Sequence, residues 1–484
     1  MRQGGADLWE NSGIAMRRRD LVGAAPAVAL ARRAMAAEPA AYEEAARRII
    51  GAALADEGGW AKLEWLCDRI GARLSGSRAL EQAVEWAAEE MRREGLENVV
   101  TPAVQVPVWV RGEEGAWMVS PREARIAMLG LGGSVGTPKE GITAEVVCVE
   151  SFEELEKLGA GAVRGKVVLY NQPWRGYRET VAYRSQGASR AARLGARAAL
   201  VRSVTPVSLR TPHTGALNYS ADAPKIPAAA ISVEDAMMIA RLRRSGARVV
   251  VRLRMEARTL EDATSANVIG EIRGRELPEE IVVMGGHLDS WDVGQGAHDD
   301  GAGCVAAWQA VQVVRSLGLR PRRTLRVCLW TNEENGLRGG RAYREWVGEA
   351  ARKHVAAVEM DGGAEKLRGF GLSIQGAPGE AVEAAMERLR GIAALMRPLG
   401  AVEIVRGGGG ADISPLMREG VPGIGHLTTG KRYFEWHHTE ADTLDKVDRR
   451  EFREHVAALA VLGYVLADME ERLAEETHPT GGNA

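Results

Sequence analysis

No stretch of this chain limits its fold more than residues 284–303, MGGHLDSWDVGQGAHDDGAG, together with what flanks them. The apolar run in front, EIVVM at 280–284, reads as a buried strand, and GAGCVAAW at 301–308 reads as the opening of a helix. Two His and four Asp stand between them in a short Gly-rich segment. A helix cap at Asp299 or Asp300 accounts for one carboxylate. It leaves His287 unexplained, directly after a strand, where open α/β sheets gather ligands.

Two further apolar runs end in the same manner. TLRVCLW at 324–330 leads into TNEENGLRGG with Glu333 and Glu334, and HVAAVEM at 354–360 leads into Asp361 and two glycines. Strand, helix (302–317) and strand in alternation predict an α/β fold whose doubly wound, mostly parallel sheet is covered on both faces. Three successive strand ends then carry His, Glu-Glu and Asp into one crevice. A fourth segment, YFEWHHTEADTLDKV at 433–447, adds the adjacent His437 and His438 in a chain with only nine histidines. Imidazoles with carboxylates suit Zn²⁺. A pair of zinc ions needs a bridging carboxylate, a His on each ion and a carboxylate to complete each shell. One of two adjacent glutamates can then bind metal while the other stays free as general base.

The rest of the chain sets the frame for that site. Its 484 residues suffice for a large core and two domains of unequal size. With 63 basic against 65 acidic residues, the charge balance argues against a nucleic-acid partner. No apolar run is long enough for an integral membrane segment in the mature chain. Residues 1–41 form a leader: Arg17, Arg18 and Arg19, a short apolar run and an AMA site make an export pattern of the twin-arginine type. The expected location is periplasmic or secreted, and cytoplasmic if the leader is not a signal. The main domain opens over 42–123, with a helix across 43–70, a second over 78–94 that stops at Gly95, and a strand over 99–110. Residues 124–260 read as an inserted domain of short strands and two short helices, with His213 isolated on a surface loop. The main domain resumes over 261–473, and 474–484 form a disordered tail. Cys67, Cys148, Cys304 and Cys328 have no metal-ligand spacing and are expected to be buried free thiols.

Taken in order, HLDSWDVGQGAHDDGAG, WTNEENGLRGG, EMDGG and HHTEADT resemble the four metal-site motifs of the co-catalytic zinc aminopeptidase family, most closely its carboxypeptidase Q (plasma glutamate carboxypeptidase) group. The resemblance covers residues 42–470, and the inserted segment is similar to a protease-associated domain. It implies a zinc-dependent exopeptidase fold with two Zn²⁺ per chain. His287 and Asp361 would bind one ion, Glu334 and His438 the other, with His437 as the nearby alternative, and Asp299 would bridge them. Glu333 would be the general base, and Asp289 would orient the ligand imidazole. The peptide bond from Asp299 to Asp300 would be cis. Asp412, in GGGGADISP at 407–415, and Tyr433 would face the substrate. The family needs no histidine at His298, which is read here as either facing the substrate or standing behind the ligands. The group acts on small peptides, chiefly dipeptides with free ends, and includes secreted homodimers. The alternatives are an aminopeptidase on longer peptides, an amidohydrolase or cyclase-like enzyme, and a non-catalytic scaffold, which would have lost Glu333 or a ligand.

Overall fold

The computed structural model describes residues 41–207 and 209–474. The leader expected over 1–41 and the tail over 474–484 lie, but for one residue each, outside the described residues. No helix among the described residues is long and apolar enough to cross a membrane.

The main domain is built on an eight-stranded sheet in the order Glu97–Val100, Val268–Ile272, Arg323–Trp330, Leu277–His287, His354–Glu359, Gly423–Thr428, Leu367–Ser373 and Glu403–Arg406. Its four central strands, from Arg323–Trp330 to Gly423–Thr428, are parallel. Antiparallel pairs flank them on both sides. The apolar runs are continuous because both faces are covered. Val282 and Met284 join the core beneath the helices Ala302–Ser316 and Arg449–Asp468. Ile281 and Val283 point the other way, into a cluster with Tyr343 of the helix Arg338–Val347. Each such fully buried side chain contributes about 1.5–3 kcal/mol.

Residues 114–255 carry a second eight-stranded sheet, in the order Ala124–Ile126, Glu114–Ser120, Val250–Met255, Ile142–Val149, Val167–Tyr170, Ala198–Arg202, Ala228–Ile231 and Met128–Gly130. The strand Glu114–Ser120 already belongs to it, so the inserted sheet begins ahead of residue 124. Three helices pack on it rather than the expected two: Phe152–Val163, Tyr177–Arg193 and Val233–Arg244. The chain enters and leaves along two antiparallel ribbons, Ala103–Val106 with Ala263–Ala266 and Trp109–Val110 with Arg258–Thr259.

Two local expectations are corrected. The strand over 99–110 is three short strands with three different partners, because Pro102 and Pro107 each remove a backbone donor between them. The helix over 43–70 ends at Ala55 and restarts at Gly58, where Asp56 Oδ2 accepts from Gly59 N at 2.8 Å. It then widens into a π-turn over Leu66–Ile70. The helix Arg78–Arg93 does end before Gly95, whose φ is +79°. All four cysteines are free, and Cys148 alone is only half-buried.

Candidate metal centre

Register places the site. His287 lies opposite Trp330, and Gly285 lies opposite Glu359, so the three parallel strands end at one edge. That edge presents His287, then Glu333 and Glu334, then Asp361. The loop after the helix Tyr433–Trp436 brings in His437 and His438, and the π-turn Ala297–Gly301, just ahead of the helix Ala302–Ser316, brings in Asp299. Asp299 stands between two groups. Its Oδ1 is 3.2 Å from His287 Nε2, which is itself 3.4 Å from Asp361 Oδ1. Its Oδ2 is 3.1 Å from His438 Nε2, which lies 3.1 Å from Glu334 Oε2. His437 Nε2 is farther from Asp299 Oδ2, at 3.6 Å, and its ring stacks on that of His438 with centroids 3.6 Å apart. Both His437 and His438 group with Asp299 as candidate ligands, and among the described residues it is His438 that pairs with Glu334.

The charge pattern is that of a cation site. Burial opposes ionisation of His438, yet Glu334 and Asp299 lift its imidazole to about 10. His287 is likewise held well above its ordinary value against burial, by Asp299 and Asp361. Burial and the Asp299 charge push Glu334 up to about 7. The buried Glu334 Oε1 accepts no hydrogen bond among the described residues. Carboxylates converging on two imidazoles that they hold charged fit two divalent cations in place of those protons. The nitrogen and carboxylate donors fit zinc.

The supporting bonds correct one expectation. Asp289 orients His287 through its main-chain carbonyl, 2.9 Å from Nδ1, and its carboxylate stands 3.9 Å away. That carboxylate accepts instead from Glu333 N at 3.0 Å, Glu334 N at 3.3 Å and Ser75 Oγ at 3.2 Å. It therefore fixes the glutamate pair. Asp300 accepts from His287 N and Gly303 N, each at 3.1 Å, locking the strand end to the helix start. A Cβ at Gly286 would lie 2.1 Å from Asp300 Oδ2, and one at Gly303 would lie 2.3 Å from Oδ1, so both glycines make room for that carboxylate. The peptide bond from Asp299 to Asp300 is cis.

Two supports were not foreseen as such. Asp442 accepts from His298 N at 2.8 Å and Asp299 N at 3.1 Å, fixing the backbone of the bridging residue. Arg73, fully buried, donates to Leu288 O at 2.5 Å, Gln295 O at 2.7 Å, Gly296 O at 2.9 Å and Gly71 O at 3.2 Å. It closes the loop that joins His287 to Asp299. Arg73→Met strands buried carbonyls, so we expect a loss of at least about 3 kcal/mol in urea unfolding. Wild-type stability in that variant would remove Arg73 from this role.

A cleft of about 740 Å³ opens over the centre. Its walls include Asp299, Glu333, Glu334, Asp361 and Tyr433 from the main domain and Tyr177, Arg184 and Leu217 from the inserted one. Asp412 and His298 do not line the cleft. Asp412 is buried on the neighbouring loop, and burial together with the Glu359 carboxyl pushes it well up. His298 Nδ1 accepts from Ala364 N at 3.0 Å and its ring packs on Trp436, so it stands behind Asp299. His213 is also corrected: it is buried rather than on the surface, with Nδ1 2.7 Å from His437 O.

Comparison with known proteins agrees with this geometry. Residues 267–462 match the model of peptidase family M28, and residues 142–239 match the PA domain. Carboxypeptidase Q of Bos taurus is 43% identical over 439 residues, covering 90% of this chain and 91% of that protein. The chain belongs to peptidase family M28. Carboxypeptidase Q of Homo sapiens matches equally, at 43% over 439 residues. Among solved structures, a peptidase M28 precursor from Shewanella amazonensis SB2B superposes with a TM-score of 0.86 at 33% identity, covering 91% of this chain and 99% of that one. As an M28 peptidase closely related to carboxypeptidase Q, the chain is a zinc-type metallopeptidase with an inserted PA domain.

Proposed function

We propose that this M28 peptidase is an exopeptidase acting on dipeptides and short peptides, with one zinc held by His287 and Asp361, a second by Glu334 and His438, and Asp299 between them. The observation that carries the reading is the division of Asp299, with Oδ1 3.2 Å from His287 and Oδ2 3.1 Å from His438. A zinc pair bound there supplies Lewis acidity, polarising the scissile carbonyl and acidifying water.

Glu333 lines the cleft, and its backbone is pinned by Asp289 at 3.0 Å. Burial, with Asp361 and Glu334 nearby, raises the proton affinity of its carboxylate. A more basic carboxylate is suited to take a proton from the attacking water and, once protonated, to hand it to the leaving amine. Burial and the surrounding carboxylates hold the Tyr433 phenol well above its usual range, so it keeps its proton and can donate to the carbonyl oxygen as charge develops. The inserted domain walls one side of the cleft, which supports a short substrate.

The test is a cleavage screen with zinc-loaded protein on free, amino-blocked and carboxyl-blocked dipeptides and on a longer peptide. Cleavage of the free dipeptide with poor turnover of both blocked forms is expected. Equal turnover of the carboxyl-blocked form and the longer peptide would replace the dipeptidase reading with an aminopeptidase. Hydrolysis of none by protein carrying two zinc ions would overturn both.

A further inference from the structure

The loop of His437 and His438 is held from outside its own domain. Thr214, in the inserted domain, grips His438 twice: Thr214 N donates to His438 O at 3.0 Å, and Thr214 O lies 3.3 Å from His438 Nδ1. His438 has a left-handed backbone, φ +62°, a conformation uncommon for a residue with a Cβ. One residue earlier, His213 Nδ1 meets His437 O at 2.7 Å, and Thr205 Oγ1 donates to Phe434 O at 2.6 Å.

The strap is itself anchored within the inserted domain. His213 N donates to Ser203 Oγ at 2.9 Å, Thr214 Oγ1 donates to Gly130 O at 2.7 Å, and Arg184 Nη1 donates to Thr214 O at 3.3 Å. Next to the entry ribbon, just ahead of the inserted sheet, Arg111 pairs with Asp292 of the other ligand loop through bonds of 2.8 and 2.6 Å. With Nε2 of His438 turned to Asp299 and Glu334, Nδ1 is the ring atom left to be oriented, and it lies 3.3 Å from both Thr214 O and Arg184 Nη1; a cation on Nε2 puts the ring proton on Nδ1, which then donates to Thr214 O. A carbonyl that accepts from the far nitrogen of a ligand imidazole fixes both tautomer and ring plane.

We propose that the strap of His213 and Thr214 makes the inserted domain part of the metal centre: by fixing His438 it sets how tightly the zinc at Glu334 and His438 is held. His213 is thus a positioning residue, 224 positions from the histidine whose main chain it holds. The inference rests on the ligand assignment under Proposed function.

Zinc loss from the loaded full-length chain to a chromophoric chelator tests it, followed together with thermal unfolding. The wild type should release two zinc ions in two phases. His213→Leu, which keeps bulk and removes the donor, should weaken one zinc about 10–100-fold and leave the other unchanged. His213→Gln, which restores an N–H, should recover most of the loss. Should His213→Leu fail to fold, Ser203→Ala gives the same readout by removing the hydroxyl that anchors His213 N at 2.9 Å. Release from the folded variant indistinguishable from wild type, or both phases accelerated alike, would overturn the strap while leaving the two-zinc reading intact. A wild type holding fewer than two zinc ions would instead sink the reading beneath it.

Discussion

Glu333→Gln is expected to lower kcat on a free dipeptide by about 10²–10⁴-fold, the usual cost of losing a general acid–base group, while zinc content stays at two per chain. Glutamine keeps the length of the side chain, and the backbone bond from residue 333 to Asp289 Oδ1, 3.0 Å, does not involve the group replaced. None of the closest His–carboxylate contacts that define the two ligand groups uses Glu333. Zinc content by elemental analysis and steady-state kinetics on the same preparation check the pair of outcomes. Full activity removes Glu333 from the mechanism; lost zinc makes it a ligand instead.

Asp299→Asn should be more damaging, and in a different manner. The substitution preserves shape but turns one acceptor oxygen into a donor, which then faces the Nε2 atom of either His287 or His438 at 3.2 or 3.1 Å. It also removes the charge shared by both groups. We expect zinc affinity to fall by more than about 100-fold, beyond the range for residues that only support ligands, with hydrolysis reduced to background. Titration of the variant with zinc alone checks this. A variant that binds both ions as the wild type does would show that Asp299 is not the bridge.

Much of this centre is legible in the sequence because a buried parallel strand announces itself. The runs ending at Met284, Trp330 and Met360 are apolar without alternation, since both faces of the sheet are covered. Residues just past such runs fall at one sheet edge, so His287, Glu333, Glu334 and Asp361 could be grouped before any distance was known. His437 and His438 were harder to tell apart, because neighbours in a loop reach the same space; the 3.1 Å approach of Glu334 to His438 separates them.

What stayed hidden depends on contacts that leave no local pattern. Arg73 bonds to carbonyls more than 200 positions away, and a carbonyl acceptor has no sequence signature. His213 looked like an isolated surface histidine because its partner is the main chain of His437, in another domain. Asp412 sits in a glycine-rich loop that suggested the substrate, yet its carboxyl lies buried near Glu359. Asp289 divides its labour in a way its position two residues past His287 does not reveal: carbonyl to His287, carboxylate to the glutamate pair.

The central claim is that one carboxylate, Asp299, is shared by two zinc positions. Stoichiometric zinc titration of the metal-stripped chain, with peptide hydrolysis recorded at each addition, tests it most directly. The account predicts binding of two zinc ions per chain, with full activity only as the second is bound. Full activity with no zinc, or saturation at a single ion, would contradict it.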